Sequence, residues 1–181
     1  VECEKILSEY TSDKFETIII RPATVCGYAR RQRLDVVVNI LTNLAYHKRK
    51  ITVYGGDQLR PNIHIKDMVN VYLKMLAADK KVVNGKVFNA GYDNFTIYEI
   101  ANSVKEIIGN DVVLEKVETD DNRSYHVSSK KMRDILNFEA KFTIQDAIKD
   151  LKDAFDQKKL INSLVDSKYF NIKKMQEINL K

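Results

Sequence analysis

One run of residues, Thr17-Ile18-Ile19-Ile20, constrains the fold of this chain more than any other stretch. β-Branched residues are enriched in strands, and a continuous run predicts a strand covered on both faces, as in a parallel sheet. We therefore predict a buried strand over residues 15–20. In the segment RPATVCG that follows, Pro22 and Gly27 are predicted to bracket a turn. That turn lies at the carboxyl end of the strand, where open α/β sheets bind ligands.

Further strand and helix signals alternate along the chain. Short apolar or alternating runs predict strands at residues 51–54, 86–89, 112–117 and 125–127, and helical spacing predicts helices at residues 1–10, 36–48, from 67, 97–108, 128–136 and 143–160. The helix from residue 67 carries four apolar side chains at helical spacing: Val69, Tyr72, Leu73 and Leu76. Asp35 and Asp67 are placed to cap the helices that follow them, and Thr96 with Glu99 forms a capping box. This alternation predicts an α/β architecture.

Length and composition narrow the class of protein. At 181 residues the chain suits one domain with its own core. No apolar run approaches the roughly 18 residues that span a bilayer, so we expect no membrane segment. Cys3 and Cys26 lack metal or redox spacing, which favours reduced thiols in a cytoplasmic protein. The net charge of +5 allows an anionic partner. The basic residues are interleaved with acids, which argues against nucleic acid and suits a phosphate-bearing small molecule.

The segment Ile51–Asp67, ITVYGGDQLRPNIHIKD, carries a ligand-binding signal of its own. Gly55 and Gly56 let the backbone approach a bound group closely, and Arg60, held by Pro61, offers a fork of donors that suits phosphate. An ordinary hairpin-like loop with a surface arginine explains the same residues equally well. The sequence contains no Gly-x-Gly-x-x-Gly loop and no cluster with metal-ligand spacing. Its histidines are isolated, which favours structural roles for all three: His47, His64 and His126.

Several short motifs follow one another along the chain. They are VECEK at residues 1–5, RPATVCG, Arg33-Leu34-Asp35, ITVYGGDQLRPNIHIKD, Phe88-Asn89-Ala90-Gly91 and Asp121-Asn122-Arg123-Ser124-Tyr125-His126-Val127. As an ordered set they resemble the extended short-chain dehydrogenase/reductase family, specifically its NAD-dependent nucleotide-sugar epimerases and dehydratases. The resemblance covers residues 1–160 and implies the C-terminal part of a Rossmann-type parallel sheet plus the small α/β substrate-binding domain. Residues 161–181 are unmatched, and we expect a tail that packs loosely or wraps a neighbour.

The resemblance implies that part of the enzyme lies outside this chain. In the family, NAD binds to an N-terminal Rossmann half, and a Tyr-x-x-x-Lys motif supplies the catalytic base. The family glutamate four residues after that lysine matches Glu4, which places the lysine immediately before Val1. The resemblance therefore implies a C-terminal half with no catalytic residue of its own. Its expected partners are the missing N-terminal half and, in the complete enzyme, a second copy in a homodimer.

The family pattern also implies binding roles for residues of this half. By resemblance, Pro22 lies near the nicotinamide of NAD and Thr24 faces the substrate. The backbone of three residues lines the nucleobase pocket: Thr52, Val53 and Tyr54. Four charged residues are placed at the nucleotide-diphosphate sugar, with Arg60 and Arg123 on its diphosphate and Arg33 and Asp35 in the loop that covers it.

Each of the charged residues also has a plainer interpretation. For Arg33 and Asp35 the alternative is a solvated arginine and a helix cap. For the other two arginines it is an ion pair with a nearby acid, Asp57 or Asp121, which contributes little at a surface. Cys26 stands where the family has the tyrosine of a Val-Tyr-Gly turn, so that contact is not carried over to this chain.

The functional hypothesis from the sequence is that the chain binds a nucleotide-diphosphate sugar for NAD-dependent epimerisation or dehydration. The alternative is a non-enzymatic nucleotide-sugar or dinucleotide sensor that keeps the pocket without the chemistry. A third hypothesis, an RNA-binding module, lacks a groove-reading motif. The base, the sugar and the choice between epimerisation and dehydration stay open.

Overall fold

Strands and helices alternate over most of the chain, which confirms the predicted α/β class. In the computed structural model, which describes residues 1–120 and 123–180, the strands are β1 (Ile18–Pro22), β2 (Thr24–Cys26), β3 (Lys50–Tyr54), β4 (Leu59–His64), β5 (Lys86–Ala90), β6 (Asp93–Thr96) and β7 (Val113–Val117). The helices are α1 (Glu2–Tyr10), α2 (Val37–Lys48), α3 (Ile65–Ala77), α4 (Lys80–Val83), α5 (Ile97–Ile108), α6 (Lys130–Leu136), α7 (Ile144–Asp156) and α8 (Asn171–Glu177). A short 3₁₀ helix, Ser167–Tyr169, precedes α8.

The β-branched run forms part of a parallel strand pair. Strand β1 pairs with β5, with Ile18 opposite Lys86, which confirms the predicted parallel strand. The predicted burial on both faces is wrong, because all three isoleucines are only partly buried. Ile18 and Ile20 pack against a core cluster, and Ile19 points to the opposite face of the strand.

The predicted turn between Pro22 and Gly27 is also wrong, because the chain stays extended there. The Ala23 amide donates to the Ala90 carbonyl oxygen at 2.7 Å, which prolongs the contact with β5. Strand β2 then pairs in parallel with β4, and β6 lies antiparallel on the other edge of β4. Strands β3 and β7 form a separate parallel pair. The chain therefore passes from one sheet to a second between β1 and β2.

Helix starts follow the local sequence only in part. The capping box of Thr96 and Glu99 at α5 is confirmed. The predicted Asp35 cap is wrong, because α2 begins without a side-chain cap bond. The predicted Asp67 cap is wrong as well: Nδ1 of the buried His64 accepts the Lys66 amide at 3.1 Å and starts α3. Burial lowers the pKa of His64, which keeps this nitrogen available as an acceptor.

Helix α3 buries a face other than the one that its predicted apolar positions form. Met68, Val71 and Met75 are buried against the side of the sheet that contains β1 and β5. The predicted positions are exposed, with Val69 at 49%, Tyr72 at 51%, Leu73 at 60% and Leu76 at 83%. Both sets of apolar residues have helical spacing, so spacing alone does not show which set is buried. The packing of α3 against the sheet determines the buried face.

The segment predicted as a strand at residues 125–127 has no strand pairing in the described structure, so that prediction is wrong. Val127 is held instead by a side chain of β6. Its amide donates to Asn94 Oδ1 at 2.8 Å, and Asn94 Nδ2 donates to the Val127 carbonyl oxygen at 3.2 Å. One side-chain amide thus takes the place of a backbone ladder.

Three apolar clusters hold these elements together. The first lies among α2, α5, α7 and β3, and the second beneath α3, where Phe88 of β5 is fully buried. The third joins α7 to the chain beyond residue 157, and its buried members are Leu34, Leu151, Ala154, Phe155, Leu160 and Tyr169. No described helix is long and apolar enough to cross a membrane.

Asp67 ties α3 to a distant loop, and its replacement tests how much that contact contributes to stability. Its fully buried carboxyl Oδ2 accepts the amides of Lys141 and Phe142 at 2.9 and 2.8 Å. We expect Asp67→Ala to lower the free energy of unfolding by about 2 to 4 kcal/mol, because two amides lose one acceptor. Urea unfolding measures this loss.

The matched control for this experiment is Asp57→Ala. The Asp57 side chain is 94% exposed and lies 3.7 Å from Lys116, so its replacement should change stability far less. Equal losses of unfolding free energy in the two variants would contradict a structural role for Asp67.

Candidate functional site

A cavity of about 320 Å³ lies where the chain passes from β1 to β2. It brings together three residues that the sequence analysis placed in the site: Pro22, Thr24 and Arg33. Its other lining residues are Ala23, Val25, Val36, Pro61, Tyr125 and Val127. The volume is at the lower end of the range for small-molecule sites.

Arg33 contributes a charged side chain to this mostly apolar cavity. Its Nε donates to Asp35 Oδ1 at 2.9 Å, and Asp35 Oδ2 accepts the Asn171 amide at 2.9 Å. Burial raises the pKa of Asp35, but the hydrogen bonds from Arg33 and the Asn171 amide outweigh it and hold the pKa below its usual value. Asp35 is therefore ionised at neutral pH. It is not among the residues that line the cavity.

Arg60 and Arg123, which are distant in sequence, meet beside the cavity. Arg60 Nη1 donates to the carbonyl oxygens of Leu59 at 2.9 Å and Arg123 at 2.5 Å. The Arg60 guanidinium carbon also lies 5.4 Å from the ring centre of Tyr125, a cation–π distance. The fold thus brings the Arg60 guanidinium to the backbone of Arg123, the other predicted diphosphate ligand. Asp121, one of the two acids considered as their partner, lies outside the described residues, as does Asn122.

The three predicted nucleobase-pocket residues lie elsewhere, on β3. The Val53 side chain belongs to the core, Tyr54 is exposed, and the Thr52 hydroxyl donates to Glu115 at 3.3 Å. None of the three lines the cavity at β1 and β2. A second cavity of about 250 Å³ begins directly after this strand, at Gly55.

The segment Ser124-Tyr125, which we call the shared wall, contributes one residue to each cavity. Ser124 lines the second cavity and Tyr125 the first, so consecutive residues face the two spaces. The Leu59 amide donates to Ser124 Oγ at 3.0 Å and fixes this segment against β4. Arg60 follows Leu59 directly, so the Arg60 guanidinium and the Arg123 carbonyl oxygen that it bonds lie near the shared wall.

The Gly55-Gly56 pair packs against the Gln58 side chain within the same turn. Gln58 Oε1 accepts the Gly56 amide at 2.7 Å, and Gln58 Nε2 donates to the Tyr54 carbonyl oxygen at 3.3 Å. Gly55 has a φ of +72°, and a Cβ there would overlap the Gln58 side-chain amide. The turn therefore requires glycine at this position whether or not a ligand approaches it.

Sequence reasoning did not assign a role to the six other lining residues: Ala23, Val25, Val36, Pro61, Tyr125 and Val127. Pro61 directly follows Arg60, and Tyr125 lies two residues after Arg123. The motifs that contain the two arginines therefore also pointed to these two neighbours. Val36 adjoins Asp35 and Val127 ends the motif that contains Arg123, yet an apolar valine by itself gives no hint of a ligand. Among residues 1–120 and 123–180, no group of three or more His, Cys, Asp or Glu side chains is arranged to hold a metal ion.

Cys26 ends β2 in the interior of the protein. Its side chain is 1% exposed, and Sγ donates to the Ile63 carbonyl oxygen at 3.4 Å. Burial raises the pKa of this thiol to about 12. Cys26 therefore packs in the core and is not among the lining residues of the cavity.

The chain is similar to a known protein family and to known proteins. A model of the NAD dependent epimerase/dehydratase family matches residues 1–91. Among curated proteins, UDP-glucuronic acid decarboxylase 6 of Arabidopsis thaliana is 26% identical over 133 residues, which are 71% of this chain and 38% of the relative. This chain thus spans well under half the length of that relative.

Solved structures share the fold. The UDP-glucose 4-epimerase of Thermotoga maritima, determined with UDP-glucose, superposes with a TM-score of 0.74 at 21% identity, over 87% of this chain and 52% of that one. The dTDP-glucose 4,6-dehydratase of Bacillus anthracis, determined with NAD, gives a TM-score of 0.71 at 21% identity, over 88% and 51%. In both cases this chain corresponds to about half of the solved structure.

The burial of Cys26 leads to a measurable difference between the two thiols. Cys3 is exposed and Cys26 is buried, and only a thiolate alkylates readily. We expect iodoacetamide at pH 8 to add one label, on Cys3, to the folded protein and two labels in urea. Mass spectrometry of peptides identifies the sites. Rapid labelling of Cys26 in the folded protein would show that β2 is accessible to solvent.

Proposed function

The chain belongs to the NAD dependent epimerase/dehydratase family, and from this premise we propose that it binds a nucleotide-diphosphate sugar for NAD-dependent epimerisation or dehydration. The observation that supports this most directly is the cavity that joins Pro22, Thr24 and Arg33. Pro22 and Thr24 are near neighbours in sequence, and the fold adds Arg33 from the following loop and Pro61 and Tyr125 from distant segments. The UDP-glucose bound by the Thermotoga maritima enzyme belongs to the same substrate class.

We propose that the diphosphate lies at the shared wall, near Arg60 and Arg123. Arg60 uses Nη1 for the carbonyl oxygens of Leu59 and Arg123, which fixes its guanidinium in one orientation. A charge-assisted, multidentate contact with phosphate suits an arginine held in this way. Arg33 extends the same charge to the sugar side of the cavity, and Thr24 offers a hydroxyl there. The backbone of Thr52–Tyr54 is the proposed contact for the base, beside the second cavity.

For NAD, this chain offers one edge of a site. Pro22 presents an apolar surface to the cavity, which suits a nicotinamide ring, but the sequence has no glycine-rich phosphate cradle. NAD when bound supplies hydride transfer at the sugar. We propose that an N-terminal half outside this sequence holds most of NAD and contributes the catalytic tyrosine and lysine. The residues of this chain orient the nucleotide sugar and limit access of water.

We also propose that the complete enzyme is a cytoplasmic homodimer. Helix α1 has no buried residue, and its Ile6 and Tyr10 are 54% and 67% exposed. We propose that the second copy packs against this exposed apolar pair on α1. The two free cysteines, Cys3 and Cys26, fit a reducing compartment.

The arginine pair provides the test of the ligand assignment. In the full-length protein, Arg60→Leu and Arg123→Leu should each weaken the affinity for UDP or dTDP by about 10- to 100-fold, because each removes a charge-assisted hydrogen bond. Affinity for the corresponding nucleoside should stay unchanged. Isothermal titration with nucleoside diphosphate and nucleoside separates the two effects.

Arg21→Leu is the matched control, because the Arg21 guanidinium pairs with Glu4 at 2.5 Å. It should change diphosphate affinity less than about twofold. Unchanged diphosphate affinity in the Arg60 variant would refute the assignment. Loss of affinity with no turnover of any UDP- or dTDP-sugar by the full-length protein would favour the sensor hypothesis.

The 181-residue chain alone tests the division of labour. We expect it neither to turn over UDP- or dTDP-sugars nor to retain NAD, because its sequence has no glycine-rich loop and the family pattern places the catalytic lysine before Val1. Assays with the purified chain, with the full-length protein in parallel, check both points. Turnover by the chain alone would overturn the proposal that catalysis needs a further segment.

A further inference from the structure

We infer that residues 160–177, which we call the strap, position the Arg33 side chain in the cavity by holding Leu34 and Asp35 from behind. The inference rests on the proposed function for the identity of the ligand, but its structural part stands on contacts alone. It gives a role to a segment for which neither the family motifs nor the proposed function provides one. Asp35 becomes a positioning residue in this arrangement.

The strap is firmly attached to the body of the protein. Ser163 is 2% exposed, its Oγ donates to Asn43 Oδ1 at 2.7 Å, and Asn43 Nδ2 donates to the Ser163 carbonyl oxygen at 3.0 Å. His47 Nε2 lies 3.0 Å from the same Oγ. Leu160 and Tyr169 are buried in the third cluster. Buried polar pairs of this kind are costly to break, so the strap provides a fixed support.

From this support, two backbone hydrogen bonds reach the loop that carries Arg33. The Leu34 amide donates to the Tyr169 carbonyl oxygen at 2.9 Å, and the Leu34 side chain is fully buried. The Asn171 amide donates to Asp35 Oδ2 at 2.9 Å. Asp35 Oδ1 then accepts from Arg33 Nε. A continuous chain of hydrogen bonds therefore runs from the strap to the cavity.

The strap holds the loop at Leu34 and Asp35, and the loop adds contacts of its own at the Arg33 carbonyl oxygen. Gln32 Nε2 and Asn39 Nδ2 both donate to the Arg33 carbonyl oxygen, at 2.9 and 2.8 Å, so the backbone is held from within the loop. The only described contact of the guanidinium is Nε with Asp35. Both Nη groups thus make no hydrogen bond to the described residues and can serve a ligand. A long, flexible side chain held at one atom depends on the orientation of its partner.

One substitution removes the link between strap and loop with little other change. Asn171 is the first residue of α8, a position at which proline is well tolerated. Phe170 before it is extended, with φ −126° and ψ 105°, as the residue preceding a proline should be. Asn171→Pro deletes the amide that bonds Asp35, whereas the matched control Asn171→Ala keeps it.

Hydrogen exchange measures the structural effect in the full-length protein. We expect Asn171→Pro to speed exchange of a peptide that covers residues 29–36 by about 10-fold, because the loop loses a hydrogen bond to a charged group. Asn171→Ala should leave exchange at the wild-type rate. Unchanged exchange in the proline variant would overturn the inference, because the loop would then be held without the strap.

Titration of UDP and dTDP measures the effect on the site. Asn171→Pro should weaken affinity about 10-fold, the alanine variant should not, and the proline should have no further effect in an Arg33→Leu background. Equal weakening in both backgrounds would overturn the inference, since the strap would then act other than through Arg33. Wild-type affinity in the proline variant would overturn it too. If the wild type bound neither diphosphate while the exchange result held, the proposed function would fail and the structural part of the inference would stand.

Discussion

The cavity depends on one feature of the backbone, the change of partner between β1 and β2. Strand β1 follows β5 as far as Pro22, which has no amide hydrogen with which to continue a ladder. The Ala23 amide makes one more bond to β5, and β2 then joins β4. This change of partner leaves a crevice at the carboxyl end of β1, and open α/β sheets bind ligands outside the carboxyl ends of their strands. The lining residues Pro22 and Thr24 belong to the backbone that makes the crevice.

The loops around the cavity are held mainly by asparagine and glutamine side chains. Asn94 holds Val127 from both sides, Asn39 Oδ1 accepts the Gly27 amide at 3.1 Å, and Gln58 closes the turn after β3. A carboxamide offers donor and acceptor together, so one side chain satisfies two backbone groups that would otherwise be buried unpaired. This is how a site built from irregular segments keeps a defined shape.

The sequence was sufficient to predict the features that depend on neighbouring residues. The isoleucine run gave a parallel strand, and Thr96 with Glu99 gave a capping box. It failed where a side chain chose a distant partner. Asp35 bonds an amide 136 residues away, and Asp67 bonds amides 74 and 75 residues away. Both carboxyls lie just before or within the first turn of a helix, where the neighbouring sequence predicts a helix cap. The neighbouring sequence cannot show that each carboxyl accepts amides of a distant segment instead.

The same distinction applies to the site. Motif resemblance placed Pro22, Thr24 and Arg33 in the site, and the fold brings them to one cavity. It could not show that Thr52–Tyr54 line a different region, because the position of β3 depends on its pairing with β7. The motif resemblance also could not show that position 55 requires glycine to leave space for the Gln58 side chain. A glycine pair is compatible with a close ligand and with a close side chain, and only the packing distinguishes them.

The exposed stripe on α3 supports the proposal that another polypeptide completes this fold. Val69, Tyr72, Leu73 and Leu76 follow the i, i+3, i+4, i+7 pattern of a helix that packs along its length. Their spacing is as regular as that of the buried Met68, Val71 and Met75, yet no described residue covers them. Within the described chain β1 pairs only with β5, so its other edge is open as well. An open edge and an apolar stripe both favour association. Pro22, the last residue of β1, lines the cavity, so a polypeptide that paired with the open edge of β1 would lie along a strand that leads to the cavity.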